Sequence, residues 1–282
     1  MNSALVSTEW LAQHLDDPHL RVVDASWYLP DMKRDARAEY EGGHIPGAVF
    51  FDIDALSDSH TNLPHMMPPP DVLARGVETL GIGDENFVVS YDGHGLFSAA
   101  RAWWMLRAMG HDRAAVLDGG LPKWLREKRP VTRERPAIAP ATFTPKPVPE
   151  LIRDLAQMQG NLKSYTEQVV DARGAPRFEA IEPEPRAGVR GGHIPGSRNV
   201  HYARLLSNDG TVRPASELRE LFGSQGVDLT RPIIASCGSG ISACSIMLAA
   251  QIAGAKNIAV YDGSWTEWGS RPDTSIERGP AL

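Results

Sequence analysis

Cysteine is scarce: 282 residues contain two, Cys237 and Cys244. If a helix joins them, they lie roughly 10 Å apart at about 1.5 Å per residue, too far for a disulfide. A disulfide-stapled secreted fold is excluded, and a reduced, cytoplasmic protein is expected. Two cysteines without a clustered histidine pair also lack zinc-ligand spacing, so no metal and no cofactor is expected. No apolar run approaches the roughly 20 residues of a membrane span, and no basic segment leads into an apolar N-terminal core. Neither a membrane partner nor a secretory signal is expected. Basic blocks are missing too. With 29 Lys and Arg against 35 Asp and Glu the net charge is −6, which argues against nucleic acid as a partner. An anionic substrate must then be met by a few local arginines. What remains is ordinary for a globular chain, 42% apolar and 23% charged, and its length exceeds one average domain.

The chain carries one plan twice. Val22-Val23-Asp24-Ala25 is answered by Val169-Val170-Asp171-Ala172, and Gly42-Gly43-His44-Ile45-Pro46-Gly47 by Gly191-Gly192-His193-Ile194-Pro195-Gly196. The run from Val116 through Asp118-Gly119-Gly120-Leu121 is answered by Ile258 through Asp262-Gly263-Ser264-Trp265. Ordered blocks at near-constant offset mark a tandem duplication. Residues 1–136 and 137–282 are the expected domains, joined by a proline-rich linker around 129–149. Within each half, short strands such as 20–25 and 87–91 alternate with helices such as 71–80 and 98–109. The predicted class is α/β, a mostly parallel sheet in each half with helices on both faces.

The chemistry concentrates at residues 231–250. The apolar Ile233-Ile234-Ala235 reads as a buried strand, followed by the loop Cys237-Gly238-Ser239-Gly240-Ile241-Ser242 and a helix of small residues. A thiol placed there is ringed by backbone N–H groups at a helix N-terminus, which favours a thiolate nucleophile. In open α/β sheets ligands collect beyond such strand ends. The first half has Asp92 at this position, so the fold does not require cysteine there. Cys244, among Ala243, Ile246 and Met247, reads as core. His44 and His193 occur in both copies although only one has a nucleophile, so they read as fold residues. Trp103, Trp104, Trp265 and Trp268 read as buried packing.

The paired His-Ile-Pro-Gly blocks and the cysteine loop in the second copy resemble the two-domain rhodanese superfamily. Within it, Cys237-Gly238-Ser239-Gly240, Glu182-Pro183-Glu184-Pro185-Arg186 and Phe50-Phe51-Asp52-Ile53-Asp54 are similar to segments of the 3-mercaptopyruvate sulfurtransferases. Ile241-Ser242 stand where that family usually has Val-Thr. The resemblance implies transfer of sulfur from 3-mercaptopyruvate through a persulfide on Cys237 to a thiol, such as thioredoxin or a small thiol, or to cyanide. It places the donor-binding arginines on Arg177 and Arg186, with the loop residues Gly238, Gly240, Ile241 and Ser242 around the donor. It places a serine–histidine–aspartate relay on Ser239, His65 and Asp54, so that residues of the first half serve the cysteine of the second.

Three other readings are weighed. Thiosulfate sulfurtransferases carry cationic side chains in the loop, where this chain has Gly238 and Ser239. Phosphatase chemistry needs an arginine six positions after the cysteine, and that position is Ala243. A non-catalytic binding protein suits the Asp92 copy but leaves Cys237 without a role.

Overall fold

Both repeated valine-rich blocks are strands, and each lies inside its own five-stranded sheet. The computed structural model describes residues 4–281, which form two units. The first runs from the N-terminal residues to Asp58, resumes over Met67–Val148, and takes in Ser207–Val212. The second takes in Ser59–Met66, Pro149–Leu206 and the residues from Arg213 onward. Two short segments thus fold with the opposite half of the chain.

The first unit contains strands β1 (Leu5–Val6), β2 (Leu20–Asp24), β3 (Val49–Phe50), β4 (Phe87–Tyr91) and β5 (Ala114–Leu117), in the spatial order β1-β5-β4-β2-β3. Every pairing is parallel, so each strand must return through a crossover. Helices α1 (Thr8–His14), α2 (Ala36–Gly42), α3 (Pro70–Glu78), α4 (Ala99–Ala108) and α5 (Gly120–Arg126) lie between and after them. Ser7 caps α1 by accepting the Trp10 N–H at 3.0 Å. Trp103 and Trp104 of α4 are fully buried.

The second unit repeats the topology. Strands β6 (Ile152–Arg153), β7 (Gln168–Asp171), β8 (Arg198–Asn199), β9 (Ile233–Ser236) and β10 (Ile258–Tyr261) are ordered β6-β10-β9-β7-β8, again all parallel. Its helices are α6 (Leu155–Ser164), α7 (Ala175–Phe178), α8 (Ala215–Ser224), α9 (Ala243–Ala253) and α10 (Ser264–Ser270). All four residues of β9 and of β10 are buried. Both faces of these strands are therefore covered, as a parallel sheet requires. No helix among the described residues is long and apolar enough to cross a membrane.

The His-Ile-Pro-Gly histidines hold the fold together. His44 pairs its backbone with Thr132, directs Nδ1 to the Tyr40 carbonyl at 2.8 Å and stacks on the Tyr40 ring. His193 does the same with Glu277, the Phe178 carbonyl at 2.9 Å and the Phe178 ring. Each pins the segment that follows its unit's last helix. In the first unit that segment is the proline-rich stretch, and it is a strap. Arg133 Nε donates to the Gly42 carbonyl, Phe143 N–H to Glu78, and Val148 N–H to the Ala108 carbonyl.

One buried acid in the first unit sets a pH dependence. Asp24 ends β2 at 2% exposure, and its Oδ1 accepts from the Ser26 N–H and hydroxyl. Burial pushes its carboxyl up to about 6. A raised folded value favours the protonated form. This contribution to stability is complete below about pH 4 and is lost as pH rises through about 6. In urea melts, wild type should lose about 2–3 kcal/mol relative to Asp24→Asn between pH 4 and pH 7. A pH-independent difference would refute this assignment.

Candidate active site

β9 occupies the middle of its sheet, between β10 and β7, and ends where Cys237 begins the loop. The chain turns through Gly240 at φ +82°, a left-handed conformation that a side chain would strain. That turn brings the Gly240 N–H to Cys237 Sγ at 3.2 Å, and α9 then starts at Ala243. A sulfur that accepts a backbone N–H beside a helix N-terminus sits where negative charge is favoured. Cys237, Ile241 and Ser242 are buried, and Gly238 is half-buried.

The last repeated block fixes the backbone of this loop. Ser264, itself at φ +49°, accepts the Cys237 N–H at 3.1 Å and donates to the Tyr261 carbonyl at 2.8 Å. Trp265 N–H donates to the Cys237 carbonyl at 2.9 Å. Thr266 donates twice to the Gly238 carbonyl, from N at 2.8 Å and from Oγ1 at 2.6 Å. Below the loop, Cys244 is fully buried and donates Sγ–H to the Gly240 carbonyl at 3.3 Å. The core reading of Cys244 holds, with a loop-bracing bond added.

The sequence-predicted residues are brought together in part. Ser239 Oγ lies 3.0 Å from His65 Nδ1, and both residues are buried. This contact spans 174 positions, yet it forms inside one unit because 59–66 belongs to the second. His65 holds φ +62°, unusual for a residue with a Cβ and a mark of a fixed position. Asp54 belongs to the first unit, where its Oδ2 accepts the Trp27 indole N–H at 3.1 Å. Arg177 reaches the loop: a Cβ placed on Gly238 would lie 3.2 Å from its Nη2. Glycine is what leaves room for the guanidinium. Arg186 is half-buried in the turn that follows Pro185, its carbonyl accepting the Val189 N–H at 3.4 Å.

Two functional candidates escape sequence reasoning. Arg173, 1% exposed at its side chain, clasps Asp171 through Nε and Nη2 and donates to Glu184 Oε1 at 2.7 Å. Its guanidinium also lies over the Trp265 ring at 4.6 Å. Glu184, 4% exposed, accepts Arg177 Nη2 at 2.5 Å on its other oxygen. Glu184 lies inside the very segment that singles out Arg186. The signal was therefore present, but its partner Arg173 is marked only by following the repeated Val-Val-Asp-Ala.

The first unit is an internal control. Asp92, fully buried, takes the cysteine position and accepts five backbone N–H groups. Those of His94 and Gly95 reach Oδ1, and those of Phe97, Ser98 and Ala99 reach Oδ2, all at 2.6–2.9 Å. In this copy the loop is thus an anion cradle filled by the chain's own carboxylate, and in the other the Gly240 N–H reaches Cys237 Sγ from the position matching Gly95. Other replacements accompany the lost thiol. Ser26 stands for Arg173, Gly120 for Ser264, and Pro122, which has no N–H, for Thr266.

Comparison with known proteins places the chain among relatives. The rhodanese-like domain family matches residues 7–127 and again 153–271. The 3-mercaptopyruvate sulfurtransferase of Homo sapiens is 44% identical over 284 residues, covering 98% of this chain and 96% of the relative. A mitochondrial thiosulfate/3-mercaptopyruvate sulfurtransferase of Arabidopsis thaliana is 41% identical over 294 residues, 97% of this chain and 78% of the relative. Among solved structures, SseA of Escherichia coli, a 3-mercaptopyruvate sulfotransferase with the rhodanese fold, superposes with a TM-score of 0.85. It is 39% identical, covering 93% of this chain and 99% of that one.

Proposed function

The chain belongs to the rhodanese-like family and is a sulfurtransferase, and we propose that it moves sulfur from 3-mercaptopyruvate through a persulfide on Cys237, releasing pyruvate. The observation that carries the donor assignment is the Arg177 guanidinium seated over Gly238, beside a cysteine whose loop has no cationic side chain. A planar guanidinium binds a carboxylate through paired, charge-assisted bonds, and an acidic protein needs that local cation for an anionic donor. Arg186 is the second donor-binding arginine in this reading, on the resemblance of its segment.

The Cys237 thiolate attacks the donor sulfur, and a sulfur–sulfur bond forms as the carbon–sulfur bond breaks. The electron pair of the broken bond leaves on pyruvate as its enolate, which takes up at carbon the proton that the donor's thiol carried. The persulfide keeps its negative charge in the N–H cradle that held the thiolate. An acceptor thiolate or cyanide then attacks the outer sulfur and returns Cys237 to its starting state. Two easier steps replace one hard one. The Ser239 hydroxyl, with His65 Nδ1 at 3.0 Å, is the group that relays the proton. Asp54 joins this relay on the resemblance of the segment 50–54. The acceptor is a thiol, such as thioredoxin or a small thiol, and the proposed location is cytoplasmic.

Thiosulfate is the alternative donor, since two relatives from Arabidopsis thaliana are named for both. The test is a comparison of kcat/KM for the two donors with cyanide as acceptor. The account expects 3-mercaptopyruvate to be favoured by at least about tenfold, because thiosulfate finds no cation on Gly238 or Ser239. A preference for thiosulfate would overturn the donor assignment.

A further inference from the structure

We propose that Glu184 is a positioning residue: held from beneath by Arg173, it fixes the pose in which Arg177 meets the donor's carboxylate. This rests on the reading above, in which Arg177 binds the donor.

Arg177 hangs from α7, a single turn of helix, and a long side chain on so short an element has many poses in water. Among the described residues, Glu184 is what holds its guanidinium over Gly238. Glu184 Oε2 accepts Nη2 at 2.5 Å while Oε1 lies 3.4 Å from Nε, so the carboxylate engages one edge of the guanidinium. That leaves the Nη1 side for a ligand. Glu184 in turn sits in a loop and is held by Arg173, whose own place is fixed on four sides. Asp171 at the end of β7 grips its Nε and Nη2, the Gly192 carbonyl accepts Nη2 at 2.8 Å, Trp265 lies beneath the guanidinium, and Glu184 closes the fourth.

The chain Asp171–Arg173–Glu184–Arg177 alternates in sign and runs from the buried sheet to the rim of the cysteine loop. Exposure rises along it, from 1–4% for the first three side chains to 21% for Arg177. The two negative groups balance the two positive ones, so no buried charge is stranded in the site before a donor arrives.

The copy without a cysteine has part of this arrangement. Arg34 forks onto Glu39, and its Nη2 lies 3.4 Å from where a Cβ on Gly93 would be. There the pair stands 33% and 40% exposed, and Ser26 takes the place of Arg173. The buried arginine that locks the glutamate accompanies the nucleophile.

The test is a double-mutant cycle on the full chain, with Glu184→Gln, Arg177→Lys and the pair, measured with 3-mercaptopyruvate and cyanide. Glu184→Gln should raise KM about tenfold and change kcat less than about twofold, the signature of lost binding pose. If Glu184 acts through Arg177, the double variant should be no worse than Arg177→Lys alone. Glu184→Asp, which keeps the charge but shortens the reach, should fall between wild type and Glu184→Gln. Discharge of a preformed Cys237 persulfide by cyanide should be unchanged in Glu184→Gln, which a general loosening of the site would not allow. An unchanged KM, or losses that multiply in the double variant, would overturn the proposal. Should wild type prefer thiosulfate, the donor reading fails separately, and the same cycle run with thiosulfate still reports whether the two residues are coupled.

Discussion

Cys237→Ser is expected to reduce pyruvate release from 3-mercaptopyruvate by at least about 1,000-fold, while Cys244→Ser stays within about threefold of wild type. The two cysteines lie on the same loop-and-helix unit and are both buried, so burial does not separate them. Geometry does. Cys237 Sγ accepts a backbone N–H from Gly240, whereas Cys244 Sγ donates to the Gly240 carbonyl. The first is poised to carry negative charge; the second has its proton committed to an acceptor. A serine at 237 still offers Gly240 an oxygen, so the loop keeps its bond, but an alkoxide is not accessible near neutral pH and attacks sulfur poorly. A serine at 244 keeps a donor for the same carbonyl and costs about 1 kcal/mol of packing. The measurement is pyruvate release under saturating donor, with thermal melts confirming that both variants fold.

Asp92→Ala is expected to destabilise the first unit by at least about 3–5 kcal/mol, the largest stability loss of any single substitution considered. Five backbone N–H groups end on that carboxylate, and alanine leaves those of Gly95, Phe97, Ser98 and Ala99 buried without that acceptor, while the His94 N–H is part-buried. Asp92→Asn retains one carbonyl oxygen and should lose roughly half as much, since its amide nitrogen cannot accept. Urea unfolding with separate probes for the two units is the right measurement, because two units need not melt in one transition. A loss under about 1 kcal/mol for Asp92→Ala would mean that water satisfies the cradle as well as the carboxylate does.

Much of this was legible in the residues. Strand 87–91 was expected with the bounds it has, since Phe87, Val88, Val89 and Tyr91, all β-branched or aromatic, run between polar turns. The duplication was legible because repeated blocks such as His-Ile-Pro-Gly mark backbone jobs that both copies share, here the histidine clamp on a following strap. The cysteine loop was legible because strand, small loop and helix are contiguous. Other features depend on the chain's path in three dimensions. Segment 59–66 joins the second unit, and 207–212 the first, with no change in periodicity to announce either. The proline-rich stretch reads as a linker because it has no period, yet its backbone N–H groups and the Arg133 side chain tie it to the first unit bond by bond. Arg173 and Glu184 are eleven residues apart, and nothing local shows that they meet under Arg177. Local pattern finds the candidate nucleophile. Tertiary structure finds what holds its surroundings.

The central claim is that sulfur rests on Cys237. Intact-mass measurement after brief exposure to 3-mercaptopyruvate, without an acceptor, tests it most directly. The account predicts one added sulfur, about 32 Da, on wild type and on Cys244→Ser, none on Cys237→Ser, and loss of the adduct on adding cyanide. Wild type that releases pyruvate yet never gains that mass, or a Cys237→Ser variant that still gains it, would contradict the account.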